Sequence, residues 1–153
     1  MPPRVTGMSP HVFQVVVDSA TPHDLAEWWA ETLGWVVEPS NEEFIREMVA
    51  KGYATDDDTT THNGVLVWRI GSAIQHPDDP TTGTRRRVLF QSVPEAKTVK
   101  NRVHLDVWVG QENVAAAVDA LVARGATKLH EGTQGPHGWV TLTDPEGNEF
   151  CVS

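Results

Sequence analysis

Cysteine is nearly absent from this chain, since Cys151 is the only one among 153 residues. A single thiol excludes an internal disulfide framework and a zinc site built on paired cysteines. We expect Cys151 to act as a small residue near the end of a strand, because that is the usual role of an isolated cysteine.

Long apolar runs are absent too. No stretch approaches the roughly 20 apolar residues needed to cross a bilayer, and the first residues, Met1 to Met8, contain no hydrophobic signal core. We therefore expect a cytoplasmic protein with no membrane partner.

Basic residues are scarce, with 12 Lys and Arg against 21 Asp and Glu and a net charge of −9. A phosphate backbone is bound by basic surface, so nucleic acid is excluded as a partner. The basic run Arg85 to Arg87 is expected to be a solvated loop edge.

Hydrophobic residues are abundant: they make up 39% of the sequence, and six residues are Trp. This is enough for one domain with its own core.

The chain contains a weak internal duplication. Phe13 to Asp18 and Val103 to Trp108 are short strand patterns that carry one polar residue of ligand type, Gln14 or His104, and a helix signal follows seven residues later in both. The layout predicts an α+β fold of two β-α-β-β-β modules. We expect a single domain over 11–153, with modules at about 11–94 and 101–153, and a flexible segment over 1–10. If the halves are equivalent, Gln14 and His104 meet at one site.

Local signals place the helices. Thr21 is a candidate N-cap with Asp24 at capping-box spacing, and Gly34 is expected to end the first helix. A second capping box, Ser40 to Glu43, opens a short helix through Ala50. The third helix is predicted over 112–124. Strands are predicted at 12–17, 35–38, 65–70, 87–93, 102–109, 127–131, 138–143 and 148–152, and 53–63 is predicted to be an acidic loop.

Strict alternation assigns the faces of the strands. Val103, Leu105, Val107 and Val109 alternate with polar residues, so the apolar face should pack on helices and His104, Asp106 and Trp108 should face a concavity. By the same reasoning, these side chains should point toward the helices: Phe13, Val15, Val17, Phe90, Phe150 and Val152. It predicts a ligand-binding concave face that consists of Gln14, Val16, Trp68, Leu89, Gln91, His104, Trp108, Glu149 and Cys151.

His104 and Asp106 are the candidate catalytic residues. They lie two positions apart on one predicted face, which permits a hydrogen-bonded acid/base pair. The simpler interpretation is that His104 hydrogen-bonds Gln14 or Gln91 in a polar seam between the modules. Trp28 and Trp29 recur at helical spacing and are predicted to belong to the core.

The segment Asp144-Pro-Glu-Gly-Asn-Glu-Phe150, the Thr-Pro start of the first helix and the duplicated layout resemble the vicinal oxygen chelate superfamily, and within it the glyoxalase-like proteins. The resemblance implies two modules whose mixed sheets curl into a cup, often in a homodimer. Members include glyoxalase I, ring-cleaving dioxygenases, epimerases and antibiotic-binding resistance proteins.

The resemblance also implies where a metal would bind. The positions that hold a divalent ion in metal-dependent members correspond to Gln14, Gln91, His104 and Cys151. Those enzymes usually place carboxylates where this chain has Gln91 and Cys151, and so little ligand charge predicts weak binding. We therefore expect no cofactor, with Zn, Ni, Fe or Mn as the alternative.

Two functional hypotheses follow. The first is a protein that binds a small organic metabolite in its cup without the usual metal. The alternative is a metal-dependent lyase or dioxygenase of glyoxalase I type that uses Gln14 and His104. A metal-free acid/base reaction at His104 with Asp106 or Glu149 has no motif behind it. The insertion over 39–63 is expected to cover one end of the cup, and the sequence leaves open whether the protein is an enzyme.

Overall fold

The computed structural model describes Gly7 and residues 9–153, so the predicted flexible segment 1–10 lies mostly outside the described residues. No helix in the described part is long and apolar enough to cross a membrane. The elements are β1 (Val15–Ser19), α1 (Pro22–Leu33), β2 (Val36–Val37), α2 (Glu42–Ala50), β3 (Thr59–His62), β4 (Val65–Trp68), β5 (Gly71–Gln75), β6 (Arg87–Ser92), β7 (Leu105–Val107), α3 (Val114–Ala123), β8 (Thr127–Gln134), β9 (His137–Thr143) and β10 (Glu149–Val152), with one-turn 3₁₀ helices at Asp56–Asp58 and Gln111–Asn113.

The two halves of the chain form two mixed sheets of the same design. The strand orders are β1-β6-β5-β2 and β7-β10-β9-β8, so each sheet runs first, last, third, second. In each sheet the first and last strands are parallel and the remaining pairs are antiparallel. The predicted α+β fold of two β-α-β-β-β modules is confirmed.

Helix α1 begins and ends close to the predicted positions, but the predicted capping box is wrong. Pro22 occupies the first turn, and Gly34 ends the helix in the left-handed region at φ 67°, where glycine has no steric penalty. The Thr21 side chain makes no capping bond, because its hydroxyl donates instead to Glu146 of the second module at 3.2 Å. Helix α2 begins one residue later than predicted, with Asn41 as its cap.

One hydrophobic core joins the two modules. The indole rings of Trp28 and Trp29 meet the Phe150 ring edge-on, with centroids 5.9 and 4.9 Å away, a favourable aromatic geometry. The prediction that both tryptophans are core residues is confirmed. Buried members of the cluster come from both halves: Leu25, Ala26, Trp28, Trp29, Ala30, Ile74, Val88, Phe90, Val118, Leu121, Ala126, Val140, Leu142, Phe150 and Val152.

The third strand of the first sheet was not predicted. The apolar run 65–70 forms β4 instead, which pairs with β3 in a separate hairpin, although 53–63 was predicted to be a loop. The third strand of this sheet is instead β5, which pairs with both β2 and β6. Three of its residues, Ala73, Ile74 and Gln75, are buried. Tertiary burial therefore overrides the stronger local pattern of residues 65–70.

Two inward assignments at the edge strands are wrong. Phe13 is 87% exposed because β1 begins only at Val15, and Val103 is 78% exposed because β7 is limited to Leu105–Val107. Leu105, Val107 and Val109 do pack against the core. In β10 and β6 the predicted alternation is confirmed, since Phe90, Phe150 and Val152 are at most 1% exposed.

Candidate functional site

A cavity of about 670 Å³ lies between the two modules. We call it the intermodule cavity. The edge strands β1 and β7 approach it from opposite modules, and part of the connector over 93–105 lines it as well. Its apolar lining includes Val15, Val17, Leu105 and Phe150, and its polar lining includes Asp18, Lys97, Asn101, His104 and Glu149.

Glu149 is held as a carboxylate at one side of this cavity. Its Oε1 accepts from Lys97 Nζ at 2.9 Å, and its Oε2 accepts from the Asn101 backbone N–H at 3.0 Å. Burial raises the pKa of Glu149, but these hydrogen bonds outweigh that effect and lower its pKa to about 2. Glu149 is therefore held as an anion at neutral pH.

The register of β7 on β10 gives His104 and Asp106 different neighbours. Leu105 pairs with Phe150 and Asp106 pairs with Cys151 in parallel register. His104 comes just before β7, whereas Glu149 is the first residue of β10 and pairs with Thr143 of β9. His104 lines the intermodule cavity, whereas Asp106 lines none of the three cavities described.

A second cavity, of about 580 Å³, lies on the concave face of the first module. We call it the hairpin cavity, because Leu89 and Gln91 of β6 line one side and residues of the β3–β4 hairpin line another. The insertion 39–63 supplies Pro39, Ser40, His62 and Asn63 to its lining. The insertion thus lines a cavity of the first module, and its covering of one end of the cup stays a prediction.

The predicted ligand-binding residues are divided among separate places. Val16, His104 and Glu149 line the intermodule cavity, and Trp68, Leu89 and Gln91 line the hairpin cavity. Gln14 lines a smaller cavity of about 250 Å³, and its amide oxygen accepts from Arg87 Nη1 at 2.9 Å. Two others line none of the three cavities: Trp108 is 85% exposed, and Cys151 Sγ lies 3.3 Å from Thr141 Oγ1.

Two of the four implied metal positions, Gln14 and Gln91, lie too far apart to bind one ion. Val15 pairs with Val88 and Asp18 pairs with Gln91, so Gln14 lies four strand positions from the residue opposite Gln91. That offset is about 13 Å along the strand, whereas ligand atoms bind one ion at about 2.0–2.3 Å. The two glutamines also line different cavities.

The Asp144–Phe150 segment joins the modules. Glu146 Oε1 accepts from the Ala20 backbone N–H at 2.8 Å, and its other oxygen accepts from the hydroxyls of Ser19 and Thr21. Glu146 thus places a negative charge before the N-terminus of α1, where the helix dipole favours it. The motif that resembles the superfamily has a structural role here.

Sequence reasoning missed Lys97 and Asn101, the two residues that hold Glu149. Both lie in the connector between modules, outside any predicted element, and contact Glu149 across about 50 residues of sequence. The one local signal was Lys97 itself, a basic residue in a short segment that precedes an apolar strand.

Comparisons with known proteins agree with this architecture. Residues 14–153 match the family model described as the glyoxalase-like domain. No curated protein matches the chain. The solved structures similar to it include the fosfomycin resistance protein FosX from Listeria monocytogenes, at 8% identity and TM-score 0.60 over 95% of this chain and 93% of that one.

Two other solved structures extend the comparison. A glyoxalase/bleomycin resistance protein/dioxygenase family enzyme from Burkholderia phytofirmans PsJN has 16% identity and TM-score 0.57, over 91% of this chain and 94% of that one. The trypanothione-dependent glyoxalase I of Leishmania major has 11% identity and TM-score 0.54, over 94% and 86%. At these identities the likeness concerns the fold alone.

Proposed function

Because the chain belongs to the glyoxalase-like domain family, within the vicinal oxygen chelate superfamily, we propose that it binds a small organic molecule in the intermodule cavity without a metal at the superfamily's usual positions. The observation that carries this proposal is the cavity itself. Its volume of about 670 Å³ lies in the range of small-molecule sites, and it combines apolar walls with a few polar groups.

The lining has an apolar part and a polar part, which suit a ligand that has both. Val15, Val17 and Leu105 offer an apolar wall for a hydrocarbon or aromatic part. His104 offers ring nitrogens that donate or accept. The hydrogen bonds from Lys97 and Asn101 keep Glu149 fixed and charged in the cavity that His104 also lines.

The alternative is a metal-dependent lyase or dioxygenase that uses Gln14 and His104, and two observations weigh against it. The amide oxygen of Gln14, the atom that would bind an ion, already accepts a hydrogen bond from Arg87. Gln14 and His104 also line different cavities. We therefore propose that the chain binds a small molecule, with no reaction at His104 or Asp106.

The test is a ligand-observed NMR screen of small aromatic and aliphatic acids, ketones and amines, before and after treatment with EDTA. Val103→Trp and Ile70→Trp form a matched pair, because both side chains are exposed and line the intermodule and hairpin cavities, respectively. We expect hits that survive EDTA and weaken at least about tenfold in Val103→Trp alone. Binding that weakens only in Ile70→Trp, or that EDTA abolishes, would overturn the proposal.

A further inference from the structure

A cluster of metal-ligand groups lies away from the intermodule cavity, where the β3–β4 hairpin meets α1. It consists of Asp24 and Glu27 on α1 and His62 on β3, and one ligand atom from each lies within 4.8 Å of the other two. We infer that these three side chains bind a divalent cation, with zinc as the best match. This site shares no residue with Gln14, Gln91, His104 or Cys151.

The helix and the hairpin present the three groups to one another. Asp24 and Glu27 are three residues apart on α1 and so lie on the same helix face. His62 Nε2 is 2.8 Å from Glu27 Oε1, and His62 Nδ1 is 3.9 Å from Asp24 Oδ1. Zinc binds imidazole nitrogen and carboxylate oxygen at about 2.0–2.2 Å, so its ligand atoms lie no more than about 4.4 Å apart.

Little movement is needed to reach that geometry. The side chains of Asp24 and Glu27 are 73% and 49% exposed, whereas the His62 side chain is only 21% exposed. Glu27 Oε1 also accepts from Asn63 Nδ2 at 3.2 Å, a surface contact that an ion would replace. The less mobile imidazole therefore defines the site, and the two carboxylates adjust to the ion.

His23 orients the imidazole of His62 independently of the two carboxylates. The two rings stack with centroids 5.2 Å apart and an interplanar angle of 28°. His23 Nε2 is 2.9 Å from the Trp68 carbonyl oxygen, and a carbonyl only accepts, so this nitrogen donates and anchors the ring. Such outer contacts typically fix the orientation of histidine ligands.

The chemistry of the donors also favours a cation. Two carboxylates and one imidazole supply the negative charge that two amides, an imidazole and a thiol lack. Glu27 and His62 also line the hairpin cavity, so an ion bound here would be accessible from that cavity. A bound ion would hold the hairpin against α1.

The competing explanation is an ion pair between protonated His62 and the two carboxylates. Isothermal titration of the full chain with zinc chloride, after removal of metals by EDTA, separates the two. We expect one zinc site per chain in the wild type and a loss of at least about tenfold in affinity in both Glu27→Gln and His62→Gln.

Matched controls come from the same surroundings. Glu31→Gln alters the next turn of α1, where Glu31 pairs with Arg124, and His76→Gln removes a histidine whose Nδ1 lies 3.9 Å from the Asp78 carboxylate. Both should bind zinc as the wild type does. Zinc should also raise the melting temperature of the wild type and the controls and leave that of Glu27→Gln unchanged, because a ligand stabilises only a state that binds it.

Three outcomes would overturn the inference: no zinc binding by the wild type, equal affinity in Glu27→Gln and His62→Gln, or binding that disappears in His104→Ala. The last would place the ion at the superfamily positions. None of these results bears on the screen for the intermodule cavity, whose hits are scored after EDTA treatment.

Discussion

Trp29 Nε1 donates a buried hydrogen bond to Asp144 Oδ2 over 3.0 Å, and this bond links the helix of the first module to the last turn of the second. Asp144 is 2% exposed, and its carboxylate also accepts from the backbone N–H groups of Glu146 and Asn148. A buried carboxylate is stable only when its oxygens are satisfied in this way. The contact between modules therefore depends on specific polar bonds as well as on apolar packing.

The first prediction compares the two neighbouring tryptophans. Trp29→Phe removes a hydrogen bond to a charged group and should cost about 1.5–3 kcal/mol, beyond the loss of packing. Trp28→Phe removes a bond to the neutral carbonyl of Arg124 at 2.9 Å and should cost about 0.5–1.5 kcal/mol beyond packing. Urea unfolding gives both free energies. A Trp28→Phe variant that is the less stable of the two would contradict the assignment.

The second prediction concerns the carboxylate before α1. Glu146→Ala removes the acceptor of the Ala20 N–H and of the Ser19 and Thr21 hydroxyls, so we expect a loss of about 1–3 kcal/mol in unfolding free energy. Glu47→Ala is the control, because its exposed pair with Lys51 should contribute no more than about 1 kcal/mol. Equal losses in the two variants would show that Glu146 contributes no more than a surface charge.

The third prediction is a dependence of stability on pH. In the folded protein the pKa of Glu149 lies at about 2, below its ordinary value of 4.5. The charged form is thus favoured by folding, and its contribution is present above pH 4.5 and is lost as the pH falls toward 2. Glu149→Gln and Lys97→Met should both flatten the loss of unfolding free energy between these values. An unchanged slope in Glu149→Gln would refute the assignment.

The fourth prediction uses two glycines in strands. A Cβ at Gly71 would lie 2.3 Å from the backbone oxygen of Phe90, whereas a Cβ at Gly138 would have its nearest neighbour at 3.6 Å. Gly71→Ala must displace the pairing of β5 with β6 and should cost about 1–3 kcal/mol. Gly138→Ala should be close to neutral. Thermal unfolding of both variants tests the difference. A Gly71→Ala variant as stable as Gly138→Ala would show that β5 shifts to make room for the methyl group at little cost.

Local patterns were sufficient where a residue's role depends on its neighbours in sequence. Gly34 ends α1 as predicted because only a residue without Cβ adopts the left-handed conformation without penalty. The alternation of Glu149, Phe150, Cys151 and Val152 gave the correct faces of β10, since one side of that strand is fully buried.

Local sequence patterns gave wrong predictions where contacts between elements far apart in the sequence determine the structure. The sequence pattern of residues 65–70 is more typical of a strand than that of 71–75. Nevertheless β5, over 71–75, lies between β2 and β6 in the sheet, and β4 pairs only with β3 in the hairpin. The acceptor of the Thr21 hydroxyl could not be found near Thr21, because Glu146 lies 125 positions away. The same limit applies to the site, since Lys97 and Glu149 are brought together only by the docking of the connector.

Helix α1 follows β1 in the first module but packs against Phe150 of the second, and this has a consequence for synthesis. The strand that completes the core, β10, comes after every other core element in the sequence. A nascent chain that has released only its first module therefore lacks the Phe150 ring, and the sides of Trp28 and Trp29 that meet this ring are left uncovered. This part of α1 stays accessible to water or to a chaperone until β10 has been synthesised.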